Sequence, residues 1–408
     1  MDDNSGDLDS MRILATTLLA LVLPTVALSQ ARYARATTIG RVDSVKSAVL
    51  QETRAYLIYT PPSYDDTLTA PQRYPVLYLL DGEAHFHSVT GLIQILGTGV
   101  NGTFVIPEMI VVAIPNTDRT RDMTPTRVTT GFDGKPQPGL RTSGGMANFL
   151  TFIKTELIPE IEQRYRTMPY RVFVGHSLGG ITAINALYTI PETFNAYVAI
   201  DPSLWWDNTA LLRKAKDFIQ GARLDGKALY VAQANTINAD DTTANPHFSA
   251  ITRFHAVVQT YNKSGLRYAF KYYDQDSHGS VPLISEYDAL RFIFDGYALD
   301  LQRTLASPRV LPEHFRKVSE KLGADFTPSD RLIQQLGQIA LSQDTTRAMQ
   351  FFELGTQLHP SSFRNYDRLG MLWAAKGDRA KARSYFEQSL ARNANNANAK
   401  EQLKKLAP

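Results

Sequence analysis

Apolar positions along this chain follow two kinds of pattern, and one gives way to the other near Leu301. Before that point, short runs with strand character punctuate the chain: Ala55–Tyr59, Pro75–Leu80, Met109–Ile114, Arg171–Val174, Tyr197–Ile200, Ala228–Ala232 and Tyr268–Tyr273. Runs without alternation are expected of strands covered on both faces. The looser alternation over Ser44–Tyr59, closed by Thr60-Pro-Pro-Ser63, predicts antiparallel strands at the start. Between the runs, apolar residues recur at helical spacing. Met146, Phe149, Leu150, Ile153, Leu157, Ile158 and Ile161 mark one helix with Pro159 as a kink, and Ile181–Tyr188, Phe248–Tyr261 and Ile284–Phe294 mark three more. Strands alternating with helices predict an α/β fold with a doubly wound, mostly parallel sheet. In such sheets ligands sit beyond the carboxyl ends of the strands, so Asp81, Ser177, Asp201, Asn235 and His278, each just after a strand, are expected on one rim.

After Leu301 the strand pattern stops. Leu336-Gly337, Ala348, Phe352 and Pro360 align with Leu369-Gly370, Trp373, Ala382 and Phe386, with Ala394 where a second Pro would stand. Small residues where paired helices touch and large ones between them are the pattern of a tetratricopeptide-like unit. Two such units are fewer than the three or so that stand alone, so the tail is expected to pack on the preceding domain or on a second subunit, or to make a protein contact. The expected division is a leader over 1–31, an α/β domain over 32–300, a linker over 301–328 and the helical region over 329–408.

Composition changes this picture at the N-terminus. Ile13–Leu23 carries no charge, follows Arg12 and leads to Pro24 and Val26-Ala-Leu-Ser29. That is the layout of a secretory signal peptide cleaved after Ser29 or Ala31, too short for the ~20 residues of a membrane span. Asp2, Asp3, Asp7 and Asp9 do not suit the segment before such a core, so translation starting at Met11 fits better and residues 1–10 are an extension. A periplasmic or secreted protein follows. The chain has no Cys, which excludes disulfides, a thiolate nucleophile and a Cys-held metal. Its net charge of +3 comes without a basic run, so nucleic acid is not an expected partner.

The chemistry centres on Gly175-His176-Ser177-Leu178-Gly179. A strand runs into it and a helix leaves it, the layout of a nucleophile elbow in which small residues two before and two after the Ser let strand and helix approach. A hydroxyl needs a base oriented by an acid, in the chain order Ser, acid, His. His278, in Asp274-Gln-Asp-Ser-His-Gly279 after the last strand, fits the base. For the acid, the strand ending at Ala232 is followed by Gln233-Ala-Asn235, and carboxylates come only at Asp240 and Asp241. Asp241 is the first choice, Asp240 and Asp276 the alternatives, and a backbone carbonyl orienting the His a further one. Oxyanion donors are expected from the amides of Leu178 and of Glu83, after Leu80-Asp81-Gly82. Trp205 and Trp206 in Asp201-Pro-Ser-Leu-Trp-Trp-Asp207 are a substrate platform or lid packing. His176 lines the pocket. Arg119 and Arg121 would bind an acidic substrate or pair with Asp118 and Asp122. His85 and His87 have a weak metal-like spacing, with a structural role favoured, and neither metal nor organic cofactor is expected.

Tyr74-Pro-Val-Leu-Tyr-Leu-Leu-Asp-Gly82, Asn116-Thr-Asp-Arg-Thr-Arg-Asp122, Gly175-His-Ser-Leu-Gly-Gly180, Pro202-Ser-Leu-Trp-Trp206 and Ser277-His-Gly-Ser280 together resemble the putative-esterase family of alpha/beta hydrolases. The resemblance covers about Val42 to Leu301. It implies a small-molecule ester substrate, Ser177 as nucleophile, His278 as base and the Leu178 and Glu83 amides as oxyanion donors. Siderophore, feruloyl and acetyl-xylan esterases, S-formylglutathione hydrolases and mycolyltransferases belong to that family. Pro-Ser-Leu-Trp-Trp points to the siderophore branch, some of whose members work with a Ser-His pair. Two rival readings are a non-catalytic interaction protein working through its helical tail, and an acyltransferase on the same fold.

Overall fold

Eight strands form one sheet in the order β1-β2-β4-β3-β5-β6-β7-β8 in the computed structural model, which describes residues 37–98, 104–131, 135–237 and 245–407. The expected leader lies outside them. From Gly40 the chain forms one compact unit. The strands are β1 Arg41–Ser47, β2 Glu52–Tyr59, β3 Tyr74–Leu80, β4 Ile110–Ile114, β5 Thr167–His176, β6 Ala196–Ile200, β7 Ala228–Ala234 and β8 Arg267–Tyr273. β1 and β2 are antiparallel, β2 meets β4 antiparallel, and the remaining pairings are parallel. The α/β expectation is thus met, including the antiparallel start.

Burial explains the continuous apolar runs. Every residue of β3, β4, β6 and β7 is buried, because helices cover both faces. Along each strand alternate side chains serve opposite layers. Leu77, Leu79, Val172, Val174 and Val198 pack with Phe86, Ile93 and Leu290 from the helices Gly82–Gly97 and Val281–Ile293. Val76, Tyr78, Leu80, Phe173 and Tyr197 pack with Phe149, Ile184, Leu211 and Phe254 from the other side. Pro159 causes no break: a π turn over Ile153–Leu157 precedes it, and Pro159 sits in the first turn of the helix Ile158–Arg164, where a missing N–H costs nothing.

The C-terminal region is all helical. The span 301–328 carries helices at Leu301–Ala306 and Val310–Leu322. Leu311, Phe315, Val318 and Phe326 continue the first layer of the core outward to Leu332, Ile333 and Phe352. Asp330, 1% exposed, accepts hydrogen bonds from the Ala70 amide at 2.8 Å and Asn365 Nδ2 at 2.7 Å. The tail is therefore fastened to the sheet domain by apolar burial and by a satisfied buried carboxylate. Its two antiparallel helix pairs are Asp330–Leu341 with Thr345–Leu358, and Phe363–Ala375 with Arg379–Arg392. At each crossing a glycine meets a ring: a Cβ on Gly337 would come within 2.7 Å of Phe352, and one on Gly370 within 2.8 Å of Phe386.

Candidate active site

The turn from β5 into the helix Leu178–Thr189 holds Ser177 at φ 59°, ψ −113°, a left-handed conformation that L side chains rarely adopt. Two backbone bonds fix it: its amide donates to the Ile200 carbonyl at 2.9 Å, and its carbonyl accepts from the Ser203 amide at 3.0 Å. Glycine is obligatory at 175, since a Cβ there would lie 2.2 Å from the Gly179 carbonyl oxygen. Ser177 Oγ is 3.2 Å from Ser203 Oγ, and Ser203 is buried.

On the same rim, Asp201 closes β6 with φ 40° and is fully buried. Its Oδ1 accepts the Ala234 amide at 2.9 Å, and its Oδ2 lies 2.5 Å from His278 Nδ1 and 2.9 Å from His247 Nε2. Burial alone would raise its pKa, but the His247 and His278 hydrogen bonds outweigh it and hold the carboxyl well below the usual range. An ionised carboxylate only accepts, so each ring presents an N–H to it. In neutral His278 the proton is then on Nδ1 and the lone pair on Nε2.

Four imidazoles line up here. The His278 ring centroid is 5.2 Å from that of His247 and 4.5 Å from that of His176, which is 5.9 Å from that of His85. Burial, helped by the neighbouring rings, pulls the His176 pKa down to about 4. His85 faces Glu286, with Nδ1 3.7 Å from Oε1. His85 and His87 share the helix Gly82–Gly97 two residues apart, so His87 turns outward and is exposed. That pair cannot clasp one ion.

Asp201, His247 and His278 bring one oxygen and two nitrogens within 4.8 Å of one another. Atoms bound to one zinc at ~2.0–2.2 Å stand roughly 3.3 Å apart. The 2.5 and 2.9 Å separations are those of hydrogen bonds instead.

The other sequence candidates fall as follows. Asp240 and Asp241 lie outside the described residues. Asp276 Oδ1 accepts from Ser280 Oγ at 2.9 Å, and the Asp276 carbonyl accepts the Asn235 amide at 2.8 Å. Leu178 and Glu83 each occupy the first turn of a helix, where amides have no acceptor within the helix. Arg119 is engaged internally: Nε and Nη2 reach Asp81 at 2.6 and 3.0 Å, and Nη2 donates to the His176 carbonyl at 3.1 Å. Arg121 pairs with Glu52 and Asp122. Trp206 is buried, its indole N–H donating to Thr126, while Trp205 is half-buried beside it. A cavity of about 490 Å³ lies elsewhere, lined by Tyr74, Glu108, Met168, Tyr297, Phe326 and Arg331. Tyr74 and Met168 begin β3 and β5, the strand ends opposite to Ser177.

The sequence puts Asp201 on this rim without giving it a partner, and it gives His247 no role. The available signal was positional: a carboxylate directly after β6, and a His in the first turn of the helix Pro246–Tyr261.

Comparison with known proteins gives the family. Residues 47–278 match the family described as Putative esterase. Ferri-bacillibactin esterase BesA of Bacillus subtilis is 31% identical over 256 residues, 59% of this chain and 85% of that protein. Siderophore enterobactin esterase of Emericella nidulans is 35% identical over 170 residues, 37% of this chain and 54% of that one. Among solved structures, an IroE-like serine hydrolase from Shewanella oneidensis is 34% identical with a TM-score of 0.70, over 78% of this chain and 99% of that one. With its α/β sheet, this chain belongs to the putative-esterase family of alpha/beta hydrolases and is a carboxylic ester hydrolase.

Proposed function

We propose that the protein is a serine esterase that hydrolyses a siderophore ester through an acyl-enzyme on Ser177. The observation that carries this reading is the 2.5 Å contact from Asp201 to His278 Nδ1, on the rim where Ser177 stands in strained backbone. Ser177 Oγ attacks the ester carbonyl carbon while its proton passes to His278 Nε2. The amides of Leu178 and Glu83 stabilise the oxyanion. The carbon–oxygen bond to the alcohol breaks, and His278 returns the proton to the departing oxygen. Water, losing its proton to His278, then attacks the acyl carbon, and Ser177 leaves protonated. In this scheme Asp201 is the acid that orients His278 and offsets its charge.

The substrate class rests on the curated relatives, a ferri-bacillibactin and an enterobactin esterase. The half-buried Trp205, two residues from Ser203, suits an aromatic acyl group such as a catechol. Hydroxycinnamoyl and acetyl esters are the next candidates. Among the described residues no helix is long and apolar enough to cross a membrane, and we place the enzyme in the periplasm or outside the cell. The helical tail, read as tetratricopeptide-like, braces the sheet domain.

The test is hydrolysis of a short p-nitrophenyl ester and of a catecholate trilactone by wild type and Ser177→Ala. Wild type should cleave both and the variant neither. Equal inertness of the two over a broad ester panel would overturn the reading, and cleavage of the p-nitrophenyl ester alone would overturn the siderophore assignment. An acyltransferase would instead show itself by faster release on adding a sugar or lipid acceptor.

A further inference from the structure

Asp201 Oδ2 is shared between two imidazoles, and only one of them is needed by the proposed mechanism. We infer that His247 is a positioning residue for hydrolysis, whose Nε2–H anchors the Asp201 carboxylate and limits how strongly that carboxylate pulls on His278. This rests on the Ser177–His278–Asp201 assignment.

The geometry for it is specific. His247 is held at the start of its helix, its amide bonded to the Asn245 side chain at 2.9 Å. Its side chain is 14% exposed and Asp201's is fully buried, so water is largely kept from the bond between them. Three N–H donors thus converge on one carboxylate: the Ala234 amide on Oδ1, and His247 and His278 on Oδ2. Without the Oδ1 and His247 donors, a carboxylate on a strained residue at the end of β6 would be free to rotate about its side-chain bonds. Two donors on one oxygen also compete. A carboxylate already neutralised in part by His247 stabilises the His278 imidazolium less. The titratable groups facing His278 are Asp201, His247 and His176, with His85 behind His176.

The test compares His247→Leu, which removes the donor, with His247→Gln, whose side-chain N–H₂ stands near the place of Nε2. In full-length protein acting on a p-nitrophenyl ester, His247→Leu should lose about tenfold in kcat, the scale of one charge-assisted donor, with KM changed little. Its acidic limb in kcat/KM should move to higher pH, because the unshared carboxylate now favours the imidazolium. His247→Gln should stay within about threefold of wild type, with the limb in place. Proton NMR supplies a readout independent of turnover: in folded Ser177→Ala protein, the His278 Nδ1 proton should appear at low field. It should move further downfield on adding His247→Leu and stay on adding His247→Gln. Equal losses in both variants with an unmoved limb and resonance would overturn the inference and leave His247 as packing. If wild type proved inert while the NMR shifts appeared as stated, the hydrolytic reading would fail and the hydrogen-bond assignment would stand.

Discussion

Glu286 offers a perturbation whose size follows from its surroundings. It sits on the helix after His278, 3% exposed, beside Leu77, Val89, Val174, Val198 and Leu290. Ser88 Oγ donates to its Oε2 at 3.3 Å, and Oε1 has no hydrogen-bond partner among the described residues, with His85 Nδ1 3.7 Å away. Burial pushes its pKa from 4.5 up to about 8. The folded state thus prefers the protonated acid. Its contribution is whole below about pH 4.5 and is lost as pH rises, at ~1.4 kcal/mol per unit, until the folded group ionises near 8. The ceiling is ~5 kcal/mol, and relaxation of the site should leave roughly 3–5 kcal/mol. Glu286→Gln keeps the shape and removes the titration. Urea unfolding followed by tryptophan fluorescence at pH 5, 7 and 9 reads the difference directly. At pH 5 the two proteins should agree within about 1 kcal/mol, and at pH 9 the Gln variant should be the more stable by roughly 3–5 kcal/mol. The buried His176 titrates in both and cancels. A difference that does not change between pH 5 and pH 9 would refute the reasoning, since it would mean that Glu286 ionises as freely folded as unfolded.

Asp201→Asn keeps the size of the side chain but offers an N–H where His278 needs an acceptor, so kcat should fall by ~10³–10⁴ with little change in KM, measured on a p-nitrophenyl ester. Gly175→Ala places a Cβ 2.2 Å from the Gly179 carbonyl, so the elbow must open; soluble protein, if obtained, should lack activity and unfold several degrees lower in a thermal melt. Asp330→Ala leaves the Ala70 amide and Asn365 side chain without their buried acceptor and should cost ~2–4 kcal/mol in denaturant unfolding, while the folded protein keeps its kcat.

The parts of this molecule that were legible in the sequence are those set by local constraint. Continuous apolar runs became strands because helices cover both faces of the sheet, and the Gly spacing around Ser177 announced a turn in which strand and helix nearly touch. The helix Gly82–Gly97 escaped because His85 and His87, neither of them buried in the core, interrupt its apolar positions. The carboxylate beside His278 was harder for a different reason. The expected place for the acid is the loop after β7, whereas the side chain within reach belongs to the residue after β6, which has a positive φ. In the sequence the partners on offer to Arg119 are an acidic substrate or the neighbouring Asp118 and Asp122, yet Asp81, thirty-eight residues away, takes both arms of its guanidinium. Long-range pairings of this kind leave no local pattern.

The most direct measurement is covalent labelling of the nucleophile. Wild-type protein treated with a fluorophosphonate and examined by intact mass and peptide mapping should carry one adduct per chain, on the peptide containing Ser177, with ester hydrolysis lost in step. Ser177→Ala should remain unlabelled, and Asp201→Asn should label far more slowly. Labelling at another residue, or continued hydrolysis by fully labelled protein, would contradict the account.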